Sequence, residues 1–238
     1  MCSSRRQRIS DELRVTNTNF KPRLDILPPA QRRLWDELGA TPPGFVLYGG
    51  TAIALRLGHR YSEDFDFFTN ETFVPTELRR KIPYLKGAEN EHIAEDTLSC
   101  RIVRGEMVRV SFFGDLDLKR VHEPDRAGNG VWIASLLDLA ATKASVMLNR
   151  SSLKDYLDLD ALLRAGLELP HVLAAAKGVY GERYTPYLSI KALNCFIEGD
   201  VVELPSDAQQ RLSAAANAVD LDRLPQLPVN PGLLPEGL

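Results

Sequence analysis

The sequence predicts an α/β (α+β) protein in which strands dominate the N-terminal half and helices the C-terminal half. Residues 45–57 join a short run of strand formers to a glycine turn and a segment with helical period. Residues 98–113 alternate polar and apolar side chains about a central glycine, as in a β-hairpin. From Ala134 onwards, apolar residues recur every three or four positions, which is typical of amphipathic helices. We therefore expect a sheet with a helical half packed on it.

Composition and turn residues divide the chain into four parts. We expect a mobile basic arm over 1–24, an α/β core over 25–125, a helical region that packs on the core over 126–224, and a loose Pro-rich tail over 225–238. The four prolines of the tail are too many for regular helices or strands.

Prolines, glycines and small polar residues set the limits of the expected helices. Pro28-Pro29 opens a helix that continues from Gln31 to Leu38, and Ser151-Ser152 precedes one that Gly166 ends. Further helices are expected over Thr76–Lys81, Pro170–Gly178, Pro186–Glu198 and Ser206–Val219.

A glycine turn at Gly49, Gly50 and Thr51 is the first candidate binding element. It follows the apolar run Phe45–Tyr48, and Thr51 can cap the helix that Gly58 ends. Glycines let a backbone approach a ligand closely, and free N–H groups at a helix start carry partial positive charge. An anion such as a triphosphate is therefore the expected ligand.

Two aspartates downstream supply the complementary chemistry. Because strand side chains alternate between faces, Asp64 and Asp66 are expected on one face, with Phe65 and Phe67 on the other. Two aligned carboxylates suit Mg²⁺, which takes a few carboxylate oxygens and completes its shell with water and substrate phosphates. Taken separately, the glycines also fit an ordinary turn, and the alternating segment also fits an edge strand. Neither a Walker lysine nor a GxGxxG pattern is present.

Composition excludes several other classes of protein. No run of 18 apolar residues occurs and the N-terminus lacks an apolar signal core, so we expect no membrane span and a cytoplasmic location. Three widely spaced cysteines without a CxxC pair argue against a disulfide framework or a zinc site. The four histidines lack metal-ligand spacing, and no nucleophile elbow supports hydrolase chemistry.

The net charge of −3 conceals a basic N-terminus. Residues 1–33 contain eight basic and three acidic residues, a net charge of +5. A contact with nucleic acid or another polyanion is one interpretation. A solvated arm is the other, since no aromatic residues interleave with the first arginines.

The motifs together resemble a known superfamily. GGT followed by DFD is similar to the signature of DNA polymerase beta-like nucleotidyltransferases, and GGTAIALRLGHRYSEDFDFF with KDYLDLDALL at 154–163 resembles the AbiEii/AbiGii toxin branch. This resemblance implies a nucleotidyltransferase-like small mixed β-sheet flanked by helices. It also implies Mg²⁺-dependent transfer of an NMP from an NTP to a hydroxyl of tRNA, other RNA, protein or a small molecule. A toxin with a cognate antitoxin follows from the branch, and a catalytically silent nucleotide- or RNA-binding protein of the same fold is the alternative.

The helical half supplies further candidate site residues. Lys143 and Arg150 are seven apart and expected on one helical face, while Asp155 and Asp158 are three apart on the next helix. These four charges also fit a solvated surface with local ion pairs. The resemblance implies functional roles for Lys143, Lys154, Asp155 and Asp158, which match the toxin branch.

The full set of candidates combines both halves of the chain. The catalytic candidates are Asp64, Asp66, Lys143, Asp155 and Asp158; the nucleotide-binding candidates are Gly49, Gly50, Thr51, Arg60 and Lys154; the metal ligands are Asp64 and Asp66. Arg60 can pair with triphosphate oxygens in a fork geometry. The superfamily places a third carboxylate on a later strand, where this sequence has Ser111. A proton acceptor is therefore expected elsewhere, with the region 143–158 the first place to look.

Overall fold

The protein, as a computed structural model, is described over residues 20–235. The basic arm predicted over 1–24 falls largely outside the described residues. Its last part lies against the protein: the Arg23 N–H donates to the Leu55 carbonyl (2.7 Å), and the Arg56 guanidinium lies 4.5 Å from the centre of the Phe20 ring.

Within residues 20–235 the chain forms eight α-helices and nine strands. The helices are α1 (Pro29–Trp35), α2 (Gly49–Leu57), α3 (Pro75–Lys81), α4 (Leu136–Val146), α5 (Leu153–Arg164), α6 (Leu169–Tyr180), α7 (Pro186–Ala192) and α8 (Ser206–Asn217). The strands are β1 (Val46–Tyr48), β2 (Asp64–Phe68), β3 (Glu89–Ala94), β4 (Thr97–Arg104), β5 (Glu106–Phe113), β6 (Lys119–Arg120), β7 (Asp125–Arg126), β8 (Trp132–Ile133) and β9 (Asn230–Pro231). No helix within 20–235 is both long and apolar enough to cross a membrane.

A mixed seven-stranded sheet has the order β3-β4-β5-β2-β1-β8-β7. β2 pairs antiparallel with β1 and parallel with β5, and β4 and β5 form the predicted hairpin, with Arg104 opposite Glu106. Gly105 joins them with a φ of +92°, which glycine adopts without strain. The site strand β2 is therefore central in the sheet, with neighbours on both sides.

Aromatic packing closes one face of this sheet. Phe65 and Phe67 of β2 are fully buried; the Phe67 ring stacks on Phe112 with centroids 5.4 Å apart, and Phe65 lies 6.4 Å from Trp35 of α1. The aspartates of β2 lie on the opposite face. There α2 packs against both α4 and α5, which brings the helical half to the site.

The expected boundary near residue 125 is wrong for the sheet. β7 begins at Asp125 and β8 at Trp132, and β8 pairs in parallel with β1, with Leu47 opposite Ile133. These strands have only two residues each, too short for the alternation that identifies a strand in sequence. The sheet therefore continues into the predicted helical region.

A loose tail is likewise wrong for residues 225–235. Asn230 and Pro231 pair with Arg120 and Lys119 as a small antiparallel sheet. The Leu233 side chain is buried, and the Leu233 backbone N–H donates to Asn70 Oδ1 at 2.8 Å. The prolines therefore prevent neither a short strand pairing nor packing on the core.

Smaller differences have local causes. α1 ends at Trp35 and a 3₁₀ turn over Glu37–Ala40 covers the rest of the predicted helix, while α7 ends at Ala192 instead of Glu198. β3 was not predicted, because all six of its residues are exposed and no alternation marks a buried face.

Candidate functional site

The predicted glycine turn starts helix α2. Gly49 has a φ of +73°, and Tyr48 occupies the cap position. Thr51 is therefore not the cap, which corrects the sequence prediction. Its buried hydroxyl instead donates to the Asp64 carbonyl and lies 2.8 Å from Ser62 Oγ, so this side chain ties α2 to the start of β2.

The two aspartates of β2 share one face, as predicted. Both are partly exposed, whereas Phe65 and Phe67 between and after them are buried. Gly49 lies directly beside this pair, since a Cβ atom added to it would stand 2.6 Å from Asp66 Oδ2. The glycine turn and the carboxylates therefore meet in space, and only a glycine fits between them.

The environment of Asp66 is unfavourable for a negative charge. Burial and the neighbouring charge of Asp64 raise the pKa of Asp66 to about 6, although Arg109, Lys143 and Arg150 act in the opposite direction. Among residues 20–235, the nearby cations therefore do not compensate fully for the burial of this carboxylate. This is the electrostatic situation that a bound cation would relieve.

The position expected for a third carboxylate holds a hydroxyl. Ser111 lies opposite Asp66 in the parallel pairing of β2 and β5, is buried, and accepts a hydrogen bond from Ser99 Oγ at 3.0 Å. Within residues 20–235, no group of three His, Cys, Asp or Glu side chains could hold a metal ion. This face of β2 therefore presents two carboxylates, Asp64 and Asp66, with the Ser111 hydroxyl opposite Asp66 on β5.

Asp158 of α5 lies at the centre of a cluster of cationic and polar side chains. Its Oδ1 accepts hydrogen bonds from His59 Nε2 (2.7 Å) and Arg60 Nε (2.6 Å). Its Oδ2 accepts one from Arg60 Nη2 (2.9 Å) and forms an ion pair with Lys143 Nζ (2.7 Å). The carboxylate is fully buried. Asp158 therefore fixes three side chains from two other segments of the chain.

Asp155 holds the same lysine from one turn earlier. Its Oδ1 accepts from Lys143 Nζ at 2.7 Å and its Oδ2 from Arg150 Nε at 2.9 Å. The sequence predicted Arg150 on the same helical face as Lys143, and this is wrong. Helix α4 ends at Val146, and Arg150 lies in the following loop. The ion pair nevertheless forms, since Arg150 is only five residues from Asp155.

These partners determine what the two helical aspartates can do. Burial raises the pKa of Asp158, but hydrogen bonds from His59 and Arg60 and the charge of Lys143 outweigh it and hold the pKa well below its usual value. A carboxylate held in this way is a poor proton acceptor. The geometry favours Asp155 and Asp158 as groups that orient cations toward the carboxylates of β2.

The two other nucleotide-binding candidates have different surroundings. The Arg60 guanidinium lies against the α-carbon of Gly50, where an added Cβ would overlap its Nη2 atom. Lys154 is exposed on α5, and Lys143 takes the place beside Asp155. Arg60 therefore joins the cluster at the start of α2, and Lys154 stays on the surface beside it.

Arg109 is a residue that the sequence reasoning missed. It lies opposite Asp64 in the pairing of β2 with β5, and its Nε is 2.9 Å from Glu91 Oε2. Its charge lowers the pKa of Asp66. The alternation that placed Ser111 on the site face also places Arg109 there, so the signal was present.

Comparison with known protein families gives a match over most of the chain. Residues 33–227 match the AbiEii family, described as a nucleotidyl transferase AbiEii toxin of a type IV TA system. An uncharacterized protein of Aquifex aeolicus is 36% identical over 123 residues, which span 50% of this chain and 58% of that protein.

A solved structure shares this fold. MenT4, a nucleotidyltransferase toxin from Mycobacterium tuberculosis, superimposes with a TM-score of 0.55 over 84% of each chain at 17% identity. A nucleotidyltransferase structure from H. pylori covers 79% of this chain and 90% of its own at 17% identity, but its TM-score of 0.49 is too low for a fold inference. The family match spans most of the sequence, including the glycine turn, both β2 aspartates and the cationic cluster, and the protein therefore belongs to the AbiEii family of nucleotidyl transferase toxins.

Proposed function

We propose that the protein transfers a nucleotide from an NTP to an acceptor hydroxyl at the site formed by α2 and β2. The observation that carries this proposal is the contact between Gly49 and Asp66, which places a helix start suited to phosphates beside two aligned carboxylates. Membership of a nucleotidyltransferase family supports the same reaction.

The residues present fit a magnesium ion. Asp64 and Asp66 offer hard oxygen ligands on one strand face, and Mg²⁺ is commonly held by one or two carboxylates with substrate phosphates and water. The raised pKa of Asp66 supports the assignment, because a cation at this position would stabilise the ionised form. When bound, Mg²⁺ would neutralise charge on the phosphates during transfer.

The chain's own side chains would position the triphosphate. The first N–H groups of α2 would face a bound triphosphate. Asp158 holds Arg60 and Lys143 nearby. Arg150 is 64% exposed while paired with Asp155, so its guanidinium is available to a ligand phosphate. In-line attack then depends mainly on positioning and charge neutralisation, which provide most of the catalysis in phosphoryl transfer.

The direct test is transfer of label from each α-labelled NTP, with Mg²⁺, to bacterial RNA, protein or small-molecule acceptors. We expect labelled product with the intact chain and none with the Asp64→Asn, Asp66→Asn double variant. Asp222→Asn, a change of an exposed carboxylate far along the chain, is the matched control and should retain transfer. NTP binding by calorimetry without label transfer to any acceptor class would instead favour a silent binding protein.

The biological role follows from the family. We propose a toxin that arrests growth by modifying an essential acceptor and is neutralised by a cognate antitoxin, with a cytoplasmic location remaining a prediction. Expression of the chain in a bacterial host should slow growth, and the Asp64→Asn, Asp66→Asn variant should not. Equal growth inhibition by both chains would argue that toxicity does not depend on nucleotide transfer.

A further inference from the structure

The loop between α2 and β2 displays an exposed aromatic ring. Tyr61 is 72% exposed, more than Tyr187 on α7 at 54%. Single exposed apolar side chains are common and need no explanation by themselves. Two further observations distinguish Tyr61: hydrogen bonds hold the loop around it, and Arg60 links its backbone to the proposed triphosphate site.

Hydrogen bonds fix the backbone on both sides of Tyr61. The Tyr61 carbonyl accepts from Arg60 Nη1 at 2.9 Å, and the Glu63 carbonyl accepts from Gln31 Nε2 at 2.8 Å. Ser62, between them, is buried, and its hydroxyl lies 2.8 Å from Thr51 Oγ1. The ring is therefore exposed on a held loop, and its exposure does not result from a loose one.

One guanidinium connects this loop to the phosphate-binding turn. While Arg60 Nη1 donates to the Tyr61 carbonyl, Nη2 lies against Gly50 and donates to Asp158 at 2.9 Å. The Tyr61 backbone is thus one side chain away from the start of α2. A nucleotide whose phosphates occupy that turn extends its sugar and base away from it, toward surrounding surface.

We propose that the Tyr61 ring stacks on the nucleobase of the NTP whose phosphates bind at Gly49 to Thr51. This inference rests on the proposed function and adds a base-binding element to it. Stacking on an aromatic face tolerates every base, and a pre-positioned ring loses little conformational freedom on binding. The ring needs no hydroxyl for this role, so phenylalanine should replace tyrosine.

Calorimetry with two kinds of ligand, nucleoside triphosphates and inorganic tripolyphosphate, tests the proposal on the full chain. ATP, GTP, CTP and UTP probe the base, and inorganic tripolyphosphate probes the phosphate site alone, each with Mg²⁺. We expect Tyr61→Ala to weaken NTP binding about tenfold, the range for loss of one stacked base, and to leave tripolyphosphate binding unchanged. Tyr61→Phe should bind the NTPs and tripolyphosphate like the parent. Tyr187→Ala, the matched control on α7, should do the same.

Other outcomes overturn the inference in distinguishable ways. Unchanged NTP affinity in Tyr61→Ala would show that the ring does not contact the base, and a raised KM for the acceptor in that variant would assign it to the acceptor instead. Equal weakening of NTP and tripolyphosphate would mean that Tyr61 only supports the loop. If the parent chain bound neither ligand, the proposed function itself would fail, and the inference with it.

Discussion

Replacement of Asp66 by asparagine should abolish transfer and yet stabilise the metal-free protein. Burial and the charge of Asp64 raise the pKa of Asp66 from 3.8 to about 6. A shift of this size corresponds to about 3 kcal/mol at most, at about 1.4 kcal/mol per pKa unit. Because Asp66 is partly exposed, solvent screening reduces this, and we expect a gain of about 1–2 kcal/mol above pH 6.

The sign of the effect sets its pH dependence. Below about pH 4, the carboxyl is protonated in both the folded and the unfolded chain, so its ionisation does not destabilise the fold. Between about pH 4 and pH 6 the folded protein holds a proton that the unfolded chain has released, so the free energy of unfolding falls as pH rises through this window. Asp66→Asn removes the ionisation, and its advantage should appear above pH 6 and vanish toward pH 4.

Thermal unfolding in EDTA measures this difference directly. A gain of about 1–2 kcal/mol corresponds to a rise in Tm of a few degrees for a chain of this length. Added Mg²⁺ should raise the Tm of the parent and leave the Tm of Asp66→Asn unchanged. The parent should therefore become the more stable chain once Mg²⁺ binding outweighs the cost of the buried Asp66 charge. The exposed Asp222→Asn should match the parent at every pH. A lower Tm for Asp66→Asn than for the parent in EDTA at pH 7.5 would refute this electrostatic account of the pair.

Three further substitutions test other parts of the structure. Asp158→Ala leaves Arg60 and Lys143 without their shared carboxylate. The free energy of unfolding in urea should therefore fall by about 3–5 kcal/mol, and transfer activity should be lost. A fall below about 1 kcal/mol would contradict a central role of Asp158 in the cluster. Gly49→Ala places a Cβ atom on a residue with φ +73° and against Asp66, so the variant should lose its stabilisation by Mg²⁺. Gly58→Ala is the control at the other end of α2, where φ is +66°. It should lose stability through similar backbone strain but keep transfer activity. Leu233→Ala should cost about 2–3 kcal/mol because the side chain is buried, and an unchanged urea midpoint would show that the tail contributes nothing to stability.

Patterns within short segments gave most of the site. Asp64 and Asp66 share a strand face because alternation is a local property of any extended chain, and Gly49 marks the helix start because few other residues adopt its conformation. The absence of a third carboxylate at Ser111 was readable for the same reason. The prediction that Thr51 caps the helix was wrong, because its hydroxyl donates to the Asp64 carbonyl, which belongs to strand β2 and not to helix α2.

Residues that depend on contacts between distant segments were less predictable. Sequence spacing put Asp155 and Asp158 on one helix, but not their partners, because His59 and Arg60 reach Asp158 across almost 100 residues. The tail over 225–235 has a composition typical of loose chain, yet its packing depends on Asn70 and on strand β6, which no local pattern reveals.

The sequence by itself determined the glycine turn, the acidic strand face and the family, because each depends on residues in a contiguous stretch of the chain. Only the tertiary structure decided which cationic side chains surround the helical aspartates Asp155 and Asp158. The lowered pKa of Asp158 depends on its hydrogen bonds from His59 and Arg60 and on the charge of Lys143, which the fold brings to it from other segments of the chain. The same holds for Tyr61, whose exposure beside the phosphate site is visible only once Arg60 connects its loop to Gly50.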